Sequence, residues 1–335
     1  MPLSKTQPMT QSRTVTQADI AMRAGVSAAT VSYALSGKSG VSALEAKRIQ
    51  RLAEKMGYRP SPLLAVHMAH VRRRTVRPFQ ATLGFISTSD SALRSVYVEA
   101  ARVRAEQMGY LLEEFHLPKL RLSPQRLSTI LLNRGIPGLI IGESPENVTR
   151  LDLDWNQFSA VTLGYTLIHP NLHRACHAHF RGMTRTLQFL WSKGFRRIGY
   201  VHRPGDLIRG ERLQHAAFLE FHASLGLAPG PTLQITSLDP TPFLHWLECC
   251  QADAVVSAEN RVREWLEVEA PKTAYSSLCL DADDYLRPGI RQGYPQVAAA
   301  AIDLLIAQLL RNDRGIPKWP NIVLVEGNWQ DSAST

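Results

Sequence analysis

The chain has 335 residues, of which 44% are hydrophobic, and 38 Lys or Arg against 29 Asp or Glu give it a formal net charge of +9. That length exceeds the usual span of one domain, and the apolar fraction is enough to bury a sizeable interior. No apolar run reaches the roughly 18 residues that cross a bilayer. Residues 1–14 lack the apolar stretch of a signal peptide, and Cys176, Cys249, Cys250 and Cys279 form no CxxC pair. A membrane partner and a disulfide framework are thereby excluded, and a reducing, cytoplasmic setting is expected.

Residues 1–14 read as a disordered tail. Residues 15–36, VTQADIAMRAGVSAATVSYALS, read as a helix, a glycine turn and a second helix. Thr16 and Ser27 stand where N-caps are wanted, because a short oxygen-bearing side chain can accept a bond from a free amide of the first turn. Gly25 suits the left-handed residue that ends the first helix. Ile20, Ala21, Val26, Val31 and Leu35 recur at helical spacing and would form the seam, with Ala21 small enough for a close crossing. A third helix is expected from Ser42 to about Met56, opened by a capping box Ser42-Ala43-Leu44-Glu45, with Leu44, Ile49 and Leu52 on its buried face. After Gly57, the run Tyr58-Arg59-Pro60-Ser61-Pro62 stops that helix and starts another, whose narrow apolar stripe is Leu63, Leu64, His67, Met68 and Val71. Arg72, Arg73, Arg74 and Arg77 lie just beyond.

The small side chains Ser27, Ala28, Ala29 and Thr30 would let the N-terminal end of the second helix enter a DNA major groove. Charge points the same way. Residues 1–77 hold 13 Lys or Arg and 3 Asp or Glu, a balance of +10, whereas the remainder holds 25 against 26. Basic charge concentrated on one module is the footprint of phosphate-backbone binding.

From residue 81 onward, short apolar strands alternate with helical patterns, as in a parallel sheet flanked by helices. The expected strands are 81–87, 110–115, 138–142, 160–163, 197–202, 233–236, 254–257 and 322–326. The expected helices include 95–108, 124–133, 181–193, 212–225, 242–250 and 296–310. Two such α/β units fit the length. His169, His173, His177 and His179, with Cys176 among them, match no standard zinc spacing, and His177 and His179 would share one side of a strand; a polar or interface role is expected. The run Asp281-Ala282-Asp283-Asp284 lacks the glycine and terminal glutamate of a calcium loop. With no GxSxG, Walker loop or GxGxxG after a strand, neither an enzyme nor a bound cofactor or metal is expected.

The head resembles the lactose/galactose repressor (LacI) family of bacterial transcription regulators over residues 15 to about 69. The motifs in order are V-T-x-x-D-I-A, A-G-V-S-x-x-T-V-S, V-S-x-x-x-x-x-R-I and G-Y-R-P. The resemblance implies an all-α helix-turn-helix head (15–60), a hinge helix with a basic linker (61–78) and an α/β core (79–332). That core would have two doubly wound parallel-sheet subdomains like those of periplasmic binding proteins, one at about 79–166 and 289–318, the other at about 167–288 and 319–332. Double-stranded operator DNA, a second copy of the chain and a small-molecule effector are the implied partners.

Carried onto this sequence, Thr16, Ser27, Thr30 and Ser32 would contact the DNA backbone, and Ala28, Ala29 and Tyr33 would face the bases. Many relatives have arginine where Tyr33 stands, which implies a different operator. Arg59 belongs to the hinge entry. His67 occupies the position of the leucine that wedges the minor groove in this family; either His67 inserts, or Met68 and Leu64 supply the apolar wedge. The core departs further from the family. Counting back from Phe221, Ala217 stands where sugar-binding members carry an arginine, and Ala178-His179 stands where the second subdomain usually opens on a polar pair. Arg209, Arg212 and Asp281 are the nearest polar candidates for an effector. A core that has lost its sugar and serves dimerisation or partner contact is the alternative, and a solute-binding protein with an incidental head is a third.

Overall fold

The computed structural model describes residues 15–36, 41–58, 80–91, 93–120, 122–144, 150–280, 284 and 286–331. They fall into two compact units, one within the first 69 residues and one from residue 70 onward. The expected tail (1–14), the hinge and basic linker (61–78), Arg59, Leu64, His67, Met68 and Asp281 lie outside the described residues. No helix among the described residues is long and apolar enough to cross a membrane.

The first unit is built on α1 (Gln17–Ala24), α2 (Ala28–Ser36) and α3 (Ala43–Lys55). Both expected caps on the helix pair form. Asp19 donates its backbone N–H to Thr16 Oγ1 at 3.3 Å while Thr16 N–H donates to Asp19 Oδ2 at 2.8 Å, and Thr30 N–H donates to Ser27 Oγ at 3.1 Å. Gly25 ends α1 at φ 69°, where a side chain would be strained. Ile20, Val31 and Ile49 are wholly buried, and Ala21, Ala34 and Ala53 let the three helices approach; Val26, Leu35 and Leu52 pack against that centre.

Two expectations for α3 are corrected. Leu44 is 85% exposed, because five residues at 3.6 per turn set it about 140° around the helix from Ile49. Ser42 does cap, accepting from Glu45 N–H at 3.3 Å, but the Glu45 carboxylate turns to Arg48, whose Nε lies 3.0 Å away. Arg48 in turn donates to the Ala24 carbonyl at 2.8 Å, and Gln50 donates to the Ala34 carbonyl at 2.8 Å. These two bonds tie α3 to the carboxyl-terminal ends of both earlier helices, where free carbonyls need donors.

The second unit opens with β1 (Thr82–Ser87), α4 (Leu93–Gln107), β2 (Leu111–His116), α5 (Leu117–Leu120), α6 (Pro124–Asn133), β3 (Gly138–Ile141), β4 (Ser159–Leu163) and β5 (His173–His177). The chain then crosses at Ala178 into a second lobe. That lobe holds α7 (His179–Ser192), β6 (Ile198–His202), α8 (Pro204–Arg209), α9 (Leu213–Ser224), β7 (Thr232–Gln234), α10 (Thr241–Cys250), β8 (Ala254–Ser257), α11 (Asn260–Glu269), β9 (Ala274–Ser277) and β10 (Gly289–Arg291). It returns to the first lobe for α12 (Tyr294–Arg311) and β11 (Ile322–Val325), and crosses once more to β12 (Asn328–Gln330). The first sheet runs β11-β5-β4-β3-β1-β2 with every pair parallel. The second runs β12-β10-β9-β8-β6-β7, and only β12 is antiparallel.

Each sheet is covered on both faces, as parallel sheets require. Ala301, Ile302 and Leu305 of α12 pack on Leu83, Phe85 and Tyr97, while Leu127, Leu131 and Phe158 cover the other face with Leu139 and Ile141. In the second lobe Met183, Leu187 and Phe218 pack on Tyr200, and Phe243, Val262 and Leu266 pack on Val201 and Val255.

The expected subdomain boundary is displaced. Residues 173–177 and 322–325 belong to the first sheet, because Val161 registers on His173 and Arg174 on Ile322. The lobes therefore meet at residue 178, not near 166, and the last return comes after residue 325, not near 318. The strand expected to carry His177 and His179 lies instead at β5, ending at His177, and strands β9, β10 and β12 and helices α5, α8 and α11 were not expected from the sequence.

Candidate functional site

In the first unit, α2 turns Val31 and Ala34 to the core and leaves Ala28 exposed and Tyr33 40% exposed on its outer side. Thr16 and Ser27 are exposed at the helix starts, Thr30 and Ser32 are half-buried, and Ala29 lies in the first turn of α2. The first turn of α2 carries no acid. Its free amides and positive dipole end are thus open to an anion, and the hydroxyls of Ser27 and Thr30, 2.8 Å apart, sit beside them. Arg23, Lys47, Arg51 and Lys55 are exposed on the same small unit.

In the second unit a cavity of about 320 Å³ lies between the lobes. Glu143 follows the carboxyl end of β3, His177 ends β5, and Tyr97 and Tyr294 come from α4 and the first turn of α12. The second lobe contributes His179, Arg203, Asp206, Arg209, Gln214 and Cys279. Open α/β sheets place ligand crevices at the carboxyl ends of their strands, and this cavity is built there. Tyr97 Oη is 3.4 Å from Glu143 Oε2 and 3.3 Å from His177 Nε2, so one phenol links the carboxyl to the imidazole. The Tyr294 ring packs nearly perpendicular to both partners, with centroids 5.6 Å from Tyr97 and 4.8 Å from His177. Gly164, at φ +64°, faces Glu143, and a Cβ there would overlap its carboxylate.

Across the cavity, Asp206 Oδ1 accepts from Arg209 Nη2 at 2.6 Å and from Arg203 Nη2 at 3.1 Å, and Arg203 Nε pairs with Glu259 at 2.9 Å. Burial pushes the Asp206 carboxyl up, but its bonds from Arg203 and Arg209 outweigh this and hold it below the usual carboxylate range. Burial raises Glu143, with Arg209 and the Tyr97 hydroxyl pulling only partly the other way. Burial, with His179 adding to it, lowers His177 to about 3, and burial lowers His179 to about 4. The Nδ1 atoms of His177 and His179 are both buried without a hydrogen-bond partner among the described residues.

These two imidazoles predict an acid-sensitive core. The unfolded chain binds their protons near pH 6.5 and the folded chain does not until about pH 4 and 3. Stability is therefore fully present above pH 6.5 and is lost as pH falls through that window, by linkage. Urea midpoints for the core should drop between pH 7 and pH 5, and the drop should flatten in a His177→Asn/His179→Asn variant. Midpoints that rise on acidification, or that fall equally in the variant, would contradict the assignment.

Of the effector residues expected from sequence, Arg209 lines the cavity, Arg212 does not, and Asp281 lies outside the described residues. Arg212 is exposed in a left-handed turn (φ 59°) just before α9. Ala217 is wholly buried under the second sheet, and Gln214, one turn earlier, is the α9 residue that reaches the cavity. His177 and His179 do not share a strand: one ends β5 and the other opens α7, yet both reach the cavity. Among the described residues, no three His, Cys, Asp or Glu are grouped to hold a metal. Sequence reasoning missed Tyr97, Glu143, Gln214 and Tyr294; only Glu143 had a signal, standing directly after an expected strand.

The chain thus joins a compact helix-turn-helix head to a two-lobed α/β core with a cleft between its lobes. Residues 16–61 match the family of bacterial regulatory proteins, lacI family. The chain thus carries the head of that family. Comparison with curated protein sequences finds no match. Among solved structures, a transcriptional regulator CelR–cellobiose complex is similar over 95% of this chain and 99% of its own, at 17% identity and a TM-score of 0.57. The Lac repressor dimer bound to operator and the anti-inducer ONPF is similar over 96% and 98%, at 17% identity and 0.53. The trehalose repressor from Escherichia coli is similar over 74% and 99%, at 17% identity and 0.56. At such identity the likeness is one of fold.

Proposed function

We propose that the chain is a cytoplasmic, dimeric repressor that reads a near-palindromic operator and responds to a small molecule in the core cleft. The observation that carries this reading is α2, capped by Ser27 and exposing small side chains at its N-terminal end, on a basic head that matches the lacI family over residues 16–61. Thr16, Ser27, Thr30 and Ser32 contact phosphates and fix register, and Ala28, Ala29 and Tyr33 face base edges. Arg59 contacts the DNA at the hinge entry, and in the minor groove between the half-sites either His67 inserts or Met68 and Leu64 supply the apolar wedge.

Dimerisation is supported by an apolar groove between α4 and α12, where Val96 and Val103 are exposed beside Ala100 and Ala299. One head alone buries little surface on DNA, whereas two tethered heads gain effective concentration. The orphaned imidazole nitrogens of the cleft favour a core that still binds a ligand over one that only dimerises. A ligand that prefers one closure of the lobes shifts the DNA-competent population.

Selection of genomic fragments by the purified full-length protein tests the reading. An enriched inverted repeat is expected, and no preference over bulk DNA at low salt would sink it. Tyr33→Ala should relax base preference at one position of each half-site, at a cost of about 1–3 kcal/mol against the best site. Unchanged selectivity in that variant would remove Tyr33 as a reader.

A further inference from the structure

We infer that the cleft takes a small organic cation whose charged nitrogen carries N–H donors, seated on Glu143 and against the rings of Tyr97 and Tyr294. This rests on the reading of the cleft as a ligand site. Among the described residues of the wall, the guanidiniums of Arg203 and Arg209 are already matched by the carboxylates of Asp206 and Glu259. The imidazoles of His177 and His179 are kept neutral by burial. Glu143 is the carboxylate left without an ion pair: Arg209 acts on it only through space, being bonded to Asp206, and its side chain has one hydrogen-bond partner, the Tyr97 hydroxyl at a long 3.4 Å. A carboxylate removed from water without a bonded cation is costly and persists where a ligand completes it.

The hydrogen-bond direction sharpens the class. With Glu143 ionised, Tyr97 donates to the carboxylate, so the phenol oxygen accepts from His177 Nε2–H across 3.3 Å. His177 Nδ1 is then a bare lone pair, buried and without a partner. Glu143 thus gives the cavity a charged acceptor, with the His177 lone pair buried beside it and, among the described residues of the wall, no donor turned to the carboxylate other than Tyr97. Tyr97 and Tyr294, set nearly perpendicular at 85°, line the cavity beside the same carboxylate, where a cation's apolar or aromatic body would pack. An anion would meet Glu143 directly, and a neutral amide would satisfy the acceptors without matching the charge.

The test uses the full-length protein and thermal shifts with benzamidine and methylguanidine as cations, benzamide as the neutral isostere and benzoate as the anion. At least one cation should raise Tm, while benzamide and benzoate should not. Glu143→Gln should weaken cation binding about 10- to 100-fold, the loss expected for a hydrogen bond to a charged group. Without ligand it should melt at or above the wild type, because a desolvated charge is gone. Tyr97→Phe keeps the carboxylate and should weaken the cation less than Glu143→Gln does. Equal shifts from benzamide, preference for benzoate, a cation shift that survives Glu143→Gln, or no response to either cation would each overturn the inference. Retained operator binding with any of these sinks the ligand class alone; loss of all operator preference with intact cation binding sinks the regulator reading alone.

Discussion

Ile49→Ala is expected to unfold the head and abolish operator binding while leaving the core folded. Ile49 is wholly buried where α1, α2 and α3 meet, against Ile20 and Val31. Cutting such a side chain to alanine costs about 2–5 kcal/mol through lost burial and the cavity left behind. A head of this size buries too little surface to absorb that loss. The head and the core form separate compact units. Melting of the full-length variant should therefore show the head transition lost or moved far down, with the core transition in place. Proteolysis at room temperature should cut within residues 15–58 and spare the core. A head that melts as the wild type does, or a core that falls with it, would contradict the two-unit organisation.

Operator affinity is expected to fall about a thousand- to a hundred-thousand-fold between 50 and 200 mM salt, the range for roughly 6–10 phosphate contacts. The head is where that dependence arises. It and the following segment hold 13 Lys or Arg against 3 acids over residues 1–77, and the rest of the chain is close to neutral. Anisotropy titrations with labelled operator, plotted as log affinity against log salt, give the slope. A slope near zero would mean that apolar or base contacts alone hold the DNA, and the backbone-positioning role of Thr16, Ser27, Thr30 and Ser32 would fail with it.

The head was legible because its signals are local. A cap links residues three apart, and the seam repeats every three or four positions, so Thr16, Ser27, Gly25, Ile20 and Val31 could be read in order. Of the two expectations that failed there, Leu44 fell to the helix's own angular spacing. Glu45 lost its reciprocal cap because Arg48, which also reaches the Ala24 carbonyl, takes its carboxylate. In the core, Gly138–Ile141 and Ala254–Ser257 were legible as continuous buried strands in the apolar pattern of a parallel sheet. His173–His177, HRACH, was not. All five residues are buried, yet the sequence is polar, and its burial comes from β4 and β11 on its two sides and from His173 Nδ1 accepting from Asn321 N–H at 2.9 Å.

The amino-acid order by itself determined the helix-turn-helix head, its caps and charge, and the alternation that makes the core α/β, because each rests on neighbours a few positions apart. The tertiary structure decided the lobe boundary and the cleft. Tyr97, Glu143, His177 and Tyr294 are far apart along the chain and carry no shared spacing, and they meet only because parallel strands and the returning α12 bring strand ends and helix starts to one rim. Convergence of that kind is set by crossover connections between sheets, and no local periodicity encodes it.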